Sequence, residues 1–277
     1  MHFITLIYKN VARRRVRTIL TLSALSTAVA AVIALVGVSS GFVAAFGDVY
    51  EAHGVDVVVS RKGAADRLSS EMSAAAEEAI RELPGVRAAA GVLLDAMSLE
   101  KAGIYGVPTM GIRRDSWLLD DLRLKDGRGL RGGDERAVLV GVQLAEQLSR
   151  GVGDRVEFYE DEVYEIAGVF ESYSAWENGS IVMALEQLQR LTDRGAQVTY
   201  VNVQMEGSPH SEDVEELVRS IESIDGRLRA MPTEDFVKTD TRMRLAQGMA
   251  WMTSSIALLI GTIGLFNTMM ASIYERT

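Results

Sequence analysis

Hydrophobic and polar positions divide the chain into three parts. Thr18–Gly47 and Leu245–Tyr274 are each thirty residues without a charged side chain. Between them, Asp48–Arg244 alternates short apolar runs with polar segments, at the spacings of strands and amphipathic helices. An apolar helix needs about 20 residues to cross the hydrocarbon core of a bilayer, so both uncharged stretches are long enough to span one.

The middle part predicts a mixture of elements. Val55–Ser60 reads as a strand, and Ser70–Leu83 carries Met72, Ala76, Ala79, Ile80 and Leu83 at helical spacing, closed by Pro84-Gly85. Val86–Leu99 and Gly103–Val107 read as strands, then Ala137–Val140, which leads into a helix over Val142–Ser149. Gly151-Val152-Gly153-Asp154 is a tight turn, where glycine takes the positive φ that other residues resist. Arg155–Tyr159 and Val163–Phe170 form a hairpin around Glu160-Asp161-Glu162. Ser180–Met183 is a strand running into a helix at Leu185–Leu191, and Val198–Met205 alternates as a strand. Ser211–Ile224 is an acidic amphipathic helix with Ser211 as its N-cap, and Arg227–Met231 is a last short strand. The expected fold class is α+β, a mixed α/β domain between two transmembrane helices. It is expected as two lobes rather than one sheet, with a boundary near Arg113–Lys125.

Charge gives the orientation. Lys9, Arg13, Arg14, Arg15 and Arg17 precede the first uncharged stretch with no acid among them, and short basic flanks stay in the cytoplasm. One crossing then places the middle part outside the cytoplasm, and a second returns the chain to it. The middle part holds all but one of the 38 acidic residues, which argues against binding a phosphate backbone, and no nucleic-acid partner is expected. The first uncharged run is about twice the 7–15 residues of a signal-peptide core, which favours an uncleaved anchor. Before it, Phe3, Ile4, Leu6, Ile7 and Val11 with the arginines suit a short helix lying in the membrane interface. The expected organisation is an interfacial basic helix at 1–17, a membrane helix at 18–47, an extracytoplasmic domain at 48–244, a membrane helix at 245–274 and the start of a cytoplasmic loop at 275–277.

Candidate chemistry is sparse. There is no cysteine, and His2, His53 and His210 are far apart, so no metal-site signature appears. No lysine follows a glycine, which excludes a phosphate-binding loop of the G-x-x-x-x-G-K type. Gly37-Val38-Ser39-Ser40-Gly41 fits G-x-S-x-G but lies inside an apolar helix rather than at a strand-to-helix elbow. Ser98-Leu99-Glu100-Lys101 fits S-x-x-K without the companion motifs of that chemistry and falls at a turn between strands. No catalytic residue, cofactor or metal is expected.

Several segments carry a resemblance when taken in order. Gly127-Arg128-Gly129-Leu130 and then Asp134-Glu135-Arg136-Ala137-Val138-Leu139-Val140-Gly141 resemble a segment of MacB/FtsX-like ABC transporter permeases. Gly151-Val152-Gly153-Asp154-Arg155-Val156 is similar to that family's turn, and Glu165-Ile166-Ala167-Gly168-Val169-Phe170 to its hairpin strand. Ser180–Met183 with Leu185–Gln189 resembles a strand-into-helix step, and Asn267–Thr277 the family's second membrane helix as it meets the cytoplasm. The resemblance covers nearly the whole chain. It marks Gly127, Arg128, Gly151, Gly153, Asp154 and Gly168 as structural positions of the family motif. It implies a multi-pass permease of the cell (inner) membrane, paired with a second permease subunit, surrounded by lipid and coupled to a cytoplasmic ABC ATPase. It implies mechanotransmission, in which the ATPase drives motion of the outer domain for export or for lipoprotein- or envelope-related work, rather than passage through a wide pore. Glu275 and Arg276 are the positions expected to contact the ATPase or to mark the membrane boundary. The family continues beyond the position of Thr277 into a loop and two further crossings, so the chain as given corresponds to about two-thirds of such a subunit. Two other classes fit the same layout: a two-helix receptor with an outer sensor domain, and a membrane-anchored structural protein. Further apolar stretches after Thr277 would mark the permease, and a signalling module the receptor.

Overall fold

A computed structural model describes residues 15–63, 70–159, 162–172, 174–207, 209–239 and 241–274. The chain forms two compact units, Met1–Val43 with Arg242–Thr277, and Ala44–Thr241.

The first unit contains most of two long helices, α1 (Arg15–Ala52) and, last in the chain, α9 (Thr241–Tyr274). They approach closely where Gly261 faces Ala28: a Cβ built on Gly261 would lie 3.3 Å from the Ala28 Cβ. Ala250 and Ser254 are buried on α9, whereas Leu245, Trp251, Leu259, Ile260, Ile263 and Phe266 are exposed. On α1, Ile19, Leu22, Ile33 and Val38 are exposed as well. Among the described residues no helix is long and apolar enough to cross a membrane. The two expected crossings are therefore not established by the fold.

The second unit is built on one sheet. Its strands are β1 (Val57–Arg61), β3 (Val86–Leu99), β4 (Ile104–Ile112), β5 (Arg123–Gly127), β6 (Ala137–Gly141), β7 (Arg155–Glu157), β8 (Val163–Glu171), β9 (Ile181–Ala184), β11 (Tyr200–Met205) and β12 (Leu228–Pro232). Their order is β12-β1-β11-β3-β4-β9-β6-β8-β5, with β7 paired to β8. Pairing is antiparallel except between β4 and β9 and between β6 and β8. A small second sheet joins β2 (Met72–Ser73) to β10 (Gln197–Val198).

Both faces of the sheet are covered, which is why its central strands read as continuous apolar runs. One face carries Val57, Leu93, Val201, Ile181 and Val138 against α2 (Ala75–Arg81), α4 (Val142–Leu148), α6 (Leu185–Leu191) and α7 (Ser211–Ile224). Side chains of a strand alternate between faces. The neighbours of that set, Val92, Val182, Tyr200 and Asn202, therefore line the other face, with Met110 paired opposite Val182. There they meet α3 (Trp117–Asp120) and α5 (Ala175–Asn178), while Phe236 and Val237 of α8 (Thr233–Thr239) are also buried.

The expectation of two lobes rather than one sheet is corrected: no break falls near Arg113–Lys125. All four residues of β9 are buried, so the strand needs a partner on each side, and it finds β4 on one and β6 on the other. The helix expected over Ser70–Leu83 is shorter, because Met72–Ser73 pairs with β10 and only Ala75–Arg81 is helical. The N-cap of α7 is His210, not Ser211: its side chain accepts from the third helical residue while its own N–H donates to Asp213 at 2.8 Å.

Candidate functional site

The sheet domain is entered and left at adjacent points. Just after α1 ends, Gly54 turns the chain at φ +60°, a conformation that glycine adopts without strain. Three contacts hold the entry to the exit. Thr233 Oγ1 donates to the Val55 carbonyl at 2.6 Å, the Thr233 N–H donates to the Asp56 carbonyl at 3.0 Å, and the Tyr50 and Phe236 rings meet edge-on at 5.9 Å. Asp56 adds a fourth tie, its carboxylate accepting the Met205 N–H at 2.7 Å.

His53 sits at this mooring and is half-buried. Its Nδ1 lies 3.8 Å from Asp121, which follows α3, and its Nε2 lies 3.7 Å from Glu177 of α5. Its carbonyl accepts from Trp117 Nε1 at 3.2 Å. Glu177 is buried and also accepts from the Ser172 hydroxyl, and Asn178 closes the same loop by bonding both backbone groups of Ser172. Burial opposes charge on the imidazole, but Glu177 and then Asp121 outweigh it and hold its pKa above the ordinary histidine value. An apolar cleft adjoins the ring, walled by Tyr50, Leu118, Trp176, Val182 and Tyr200, with about 50 Å³ open to water-sized atoms. That is room for a few waters rather than for a substrate.

The motif residues gather elsewhere, at the edge of the sheet where β5 crosses β8. Gly127 pairs opposite Gly168, and a Cβ on Gly127 would lie 2.8 Å from the Gly168 Cα, while one on Gly168 would lie 2.5 Å from the Arg128 carbonyl. Arg128 holds Asp134 through two nitrogens, at 2.6 and 2.9 Å. The turn Gly151–Asp154 packs on the same edge. Gly153, at φ +86°, donates to the Ile166 carbonyl at 2.9 Å, the Asp154 carbonyl accepts from the Ile166 N–H at 2.8 Å, and the Asp154 carboxylate caps the Gly151 N–H at 2.8 Å. Positive φ belongs to Gly153 and not to Gly151. The structure thus brings these six residues together at one sheet edge, Gly127 and Gly168 in paired strands and Gly151, Gly153 and Asp154 in the turn beside them.

Glu275 and Arg276 lie outside the described residues, and so does the hairpin tip Glu160-Asp161. Ser98 and Lys101 sit at the end of β3 and in the turn after it, where Lys101 pairs with Glu157 at 2.7 Å. Among the described residues no group of three or more His, Asp or Glu side chains is placed to hold a metal ion. The His53 cluster was not read from the sequence as a site, since its members lie at positions 53, 121 and 177 and meet only through the sheet order.

A mixed sheet covered on both faces, with its two chain connections bound side by side, defines the sheet unit as a domain inserted between two long helices. The chain belongs to the family of MacB-like periplasmic core domains, whose profile matches residues 18–224. Among solved structures it is similar to the periplasmic region of MacB from Actinobacillus actinomycetemcomitans, at 14% identity and a TM-score of 0.55, over 69% of this chain and 94% of that one. A second similarity is to the extracellular domain of the noncanonic ABC-type transporter YknZ from Gram-positive bacteria, at 16% identity and a TM-score of 0.48, over 64% and 99%. At 14% identity the likeness to the MacB periplasmic region is one of fold. No curated protein matches the chain.

Proposed function

We propose that this chain is permease-type machinery of an ABC transporter, in which a cytoplasmic ATPase, through two membrane helices, moves an outer domain that works on the extracytoplasmic side. The observation that carries the reading is the family match, which runs from Thr18 through most of the first long helix and on across the sheet domain to Ile224.

Three further features support it. Thr18–Gly47 and Leu245–Tyr274 hold no charged residue, and the basic cluster Lys9–Arg17 precedes them as a cytoplasmic flank would. Large apolar side chains on α1 and α9 point outward, which suits lipid and not water. The α9 hydroxyls of Thr253, Ser255 and Thr262 donate to the carbonyls four residues earlier at 2.8–2.9 Å, so they need no water. The reading includes a second permease subunit beside this one and an ATPase reached through Glu275 and Arg276. It includes no catalysis by the chain itself.

The topology is tested with a reporter enzyme that is active only outside the cytoplasm. It is expected to work when inserted at Glu160–Glu162 and to be silent when fused after Thr277. The reverse pattern overturns the orientation. Replacing Glu275 and Arg276 with alanine in the intact permease is expected to weaken co-purification of the ATPase without preventing membrane insertion.

A further inference from the structure

The His53 cluster is not explained by packing alone. A half-buried imidazole lies between two carboxylates contributed by different segments, and it sits one residue beyond the helix that leads into the domain. Glu177 is the critical partner. Its side chain is 7% exposed, and a carboxylate so shielded needs a donor or a cation close by. Ser172 supplies one hydrogen bond and His53 the only cationic group within ion-pair distance of Glu177 among the described residues.

We propose that His53 is a proton-operated latch: protonated, it ties the end of α1 to the segments that carry Asp121 and Glu177, and neutral, it holds at most one of them and loosens the tie. The two states differ in what the ring can donate. The imidazolium has an N–H on each side, one towards Asp121 and one towards Glu177, whereas the neutral ring has a single N–H and must leave one carboxylate without it. Both carboxylates lose the positive charge, and Glu177, the buried partner, bears more of that loss, which weighs on α5 and the loop that leads into it. Because His53 is joined to Trp117 through its carbonyl, the same change reaches α3.

The charged surroundings agree. Asp121, from the segment after α3, and Glu177, from α5, are the groups whose charge acts on the ring, and both favour the cation. Tyr50 of α1 and Tyr200 of β11 are the other titratable side chains lining the cleft. Asp56, on the segment leaving α1, is engaged by the Met205 N–H. The sign follows. A histidine whose folded pKa is raised contributes stability that is fully present below its unfolded value, about 6.5, and lost as pH rises through the folded value. The latch is therefore closed in mildly acidic surroundings and opens as pH rises. On the proposed function, the hold of the outer domain on α1 would follow extracytoplasmic pH.

The test uses the full chain in detergent micelles, so its outcome does not depend on membrane side or on an ATPase. Backbone hydrogen exchange is followed at about pH 6 and about pH 8.5, each rate corrected for the intrinsic pH effect. Expected in the wild type is several-fold greater protection of the segments around residues 50–56 and 174–179 at the lower pH, with the core strand β3 unchanged. In His53→Gln the pH dependence of those segments should disappear. Should His53→Gln misfold, Asp121→Asn, which alters an exposed carboxylate, decides the matter: the histidine titration read by NMR should move to lower pH, and the protection change should move with it. Equal protection at both pH values in the wild type, or the same pH dependence in His53→Gln, overturns the latch. So does a titration unmoved in Asp121→Asn.

Discussion

The hydroxyl of Thr233 donates to the carbonyl oxygen of Val55 at 2.6 Å, joining residues 178 apart in sequence with one hydrogen bond. It closes the sheet domain where the chain enters and leaves. Thr233→Val keeps the shape and removes the donor, so the Val55 carbonyl loses a partner in a half-buried place. The expected cost is about 1 kcal/mol, read as a Tm lowered by about 3 °C in thermal unfolding of the full chain. An unchanged Tm would remove this bond from the account of the mooring.

Gly141 ends β6 against the backbone of α5. A Cβ there would lie 2.4 Å from the Asn178 carbonyl and 2.5 Å from that of Glu177, and neither is a flexible side chain. Gly141→Ala is expected to cost about 1–3 kcal/mol by forcing that backbone apart. Gly129→Ala, where nothing lies within 4 Å of the added carbon, should change stability by no more than about 0.5 kcal/mol. Chemical denaturation of the two variants measures the difference, and equal costs would contradict the packing.

Asp134 is held by Arg128, and this pairing should be visible as a pH effect. The hydrogen bonds from Arg128 keep the Asp134 carboxyl below the ordinary aspartate value, against partial burial and with help from the Arg131 N–H. A lowered folded pKa gives stability that is present above the unfolded value, about 3.9, and lost as pH falls through the folded one. Asp134→Asn should therefore destabilise at neutral pH, and the gap to the wild type should close on acidification. A gap that stays constant down to strongly acidic pH would show that charge is not what Arg128 recognises.

Much of the fold was legible because burial on both faces leaves a plain mark. β3 spans Val86–Leu99, as expected from an apolar run bounded by Pro84-Gly85 and Glu100-Lys101. The helices at Leu185–Leu191 and Ser211–Ile224 also have the expected bounds, since each combines an apolar stripe with a clear stop. β5 was missed because an edge strand with every residue exposed, Arg123-Leu124-Lys125-Asp126-Gly127, has no buried face to impose alternation. The helices α3 and α5 have four residues each, less than the period needed to recognise them. The single sheet was missed because the parallel pairing of β4 with β9 joins segments some seventy residues apart, and no local pattern encodes it. Gly151 and Gly153 could be read as a turn, whereas His53, Asp121 and Glu177 could not be read as a cluster.

β1 and β12 are antiparallel neighbours, paired from Val57 with Pro232 to Arg61 with Leu228, and the two chain connections leave from the Val57–Pro232 end. This arrangement sorts mechanical loads by direction. Pulling the connections apart would open the ladder from that end one bond at a time, the weakest way to break a pair of strands. Pushing or drawing both connections together loads none of those bonds. On the proposed function, a common displacement of the two connections would carry the domain as one piece, and their separation would open it first at its own root.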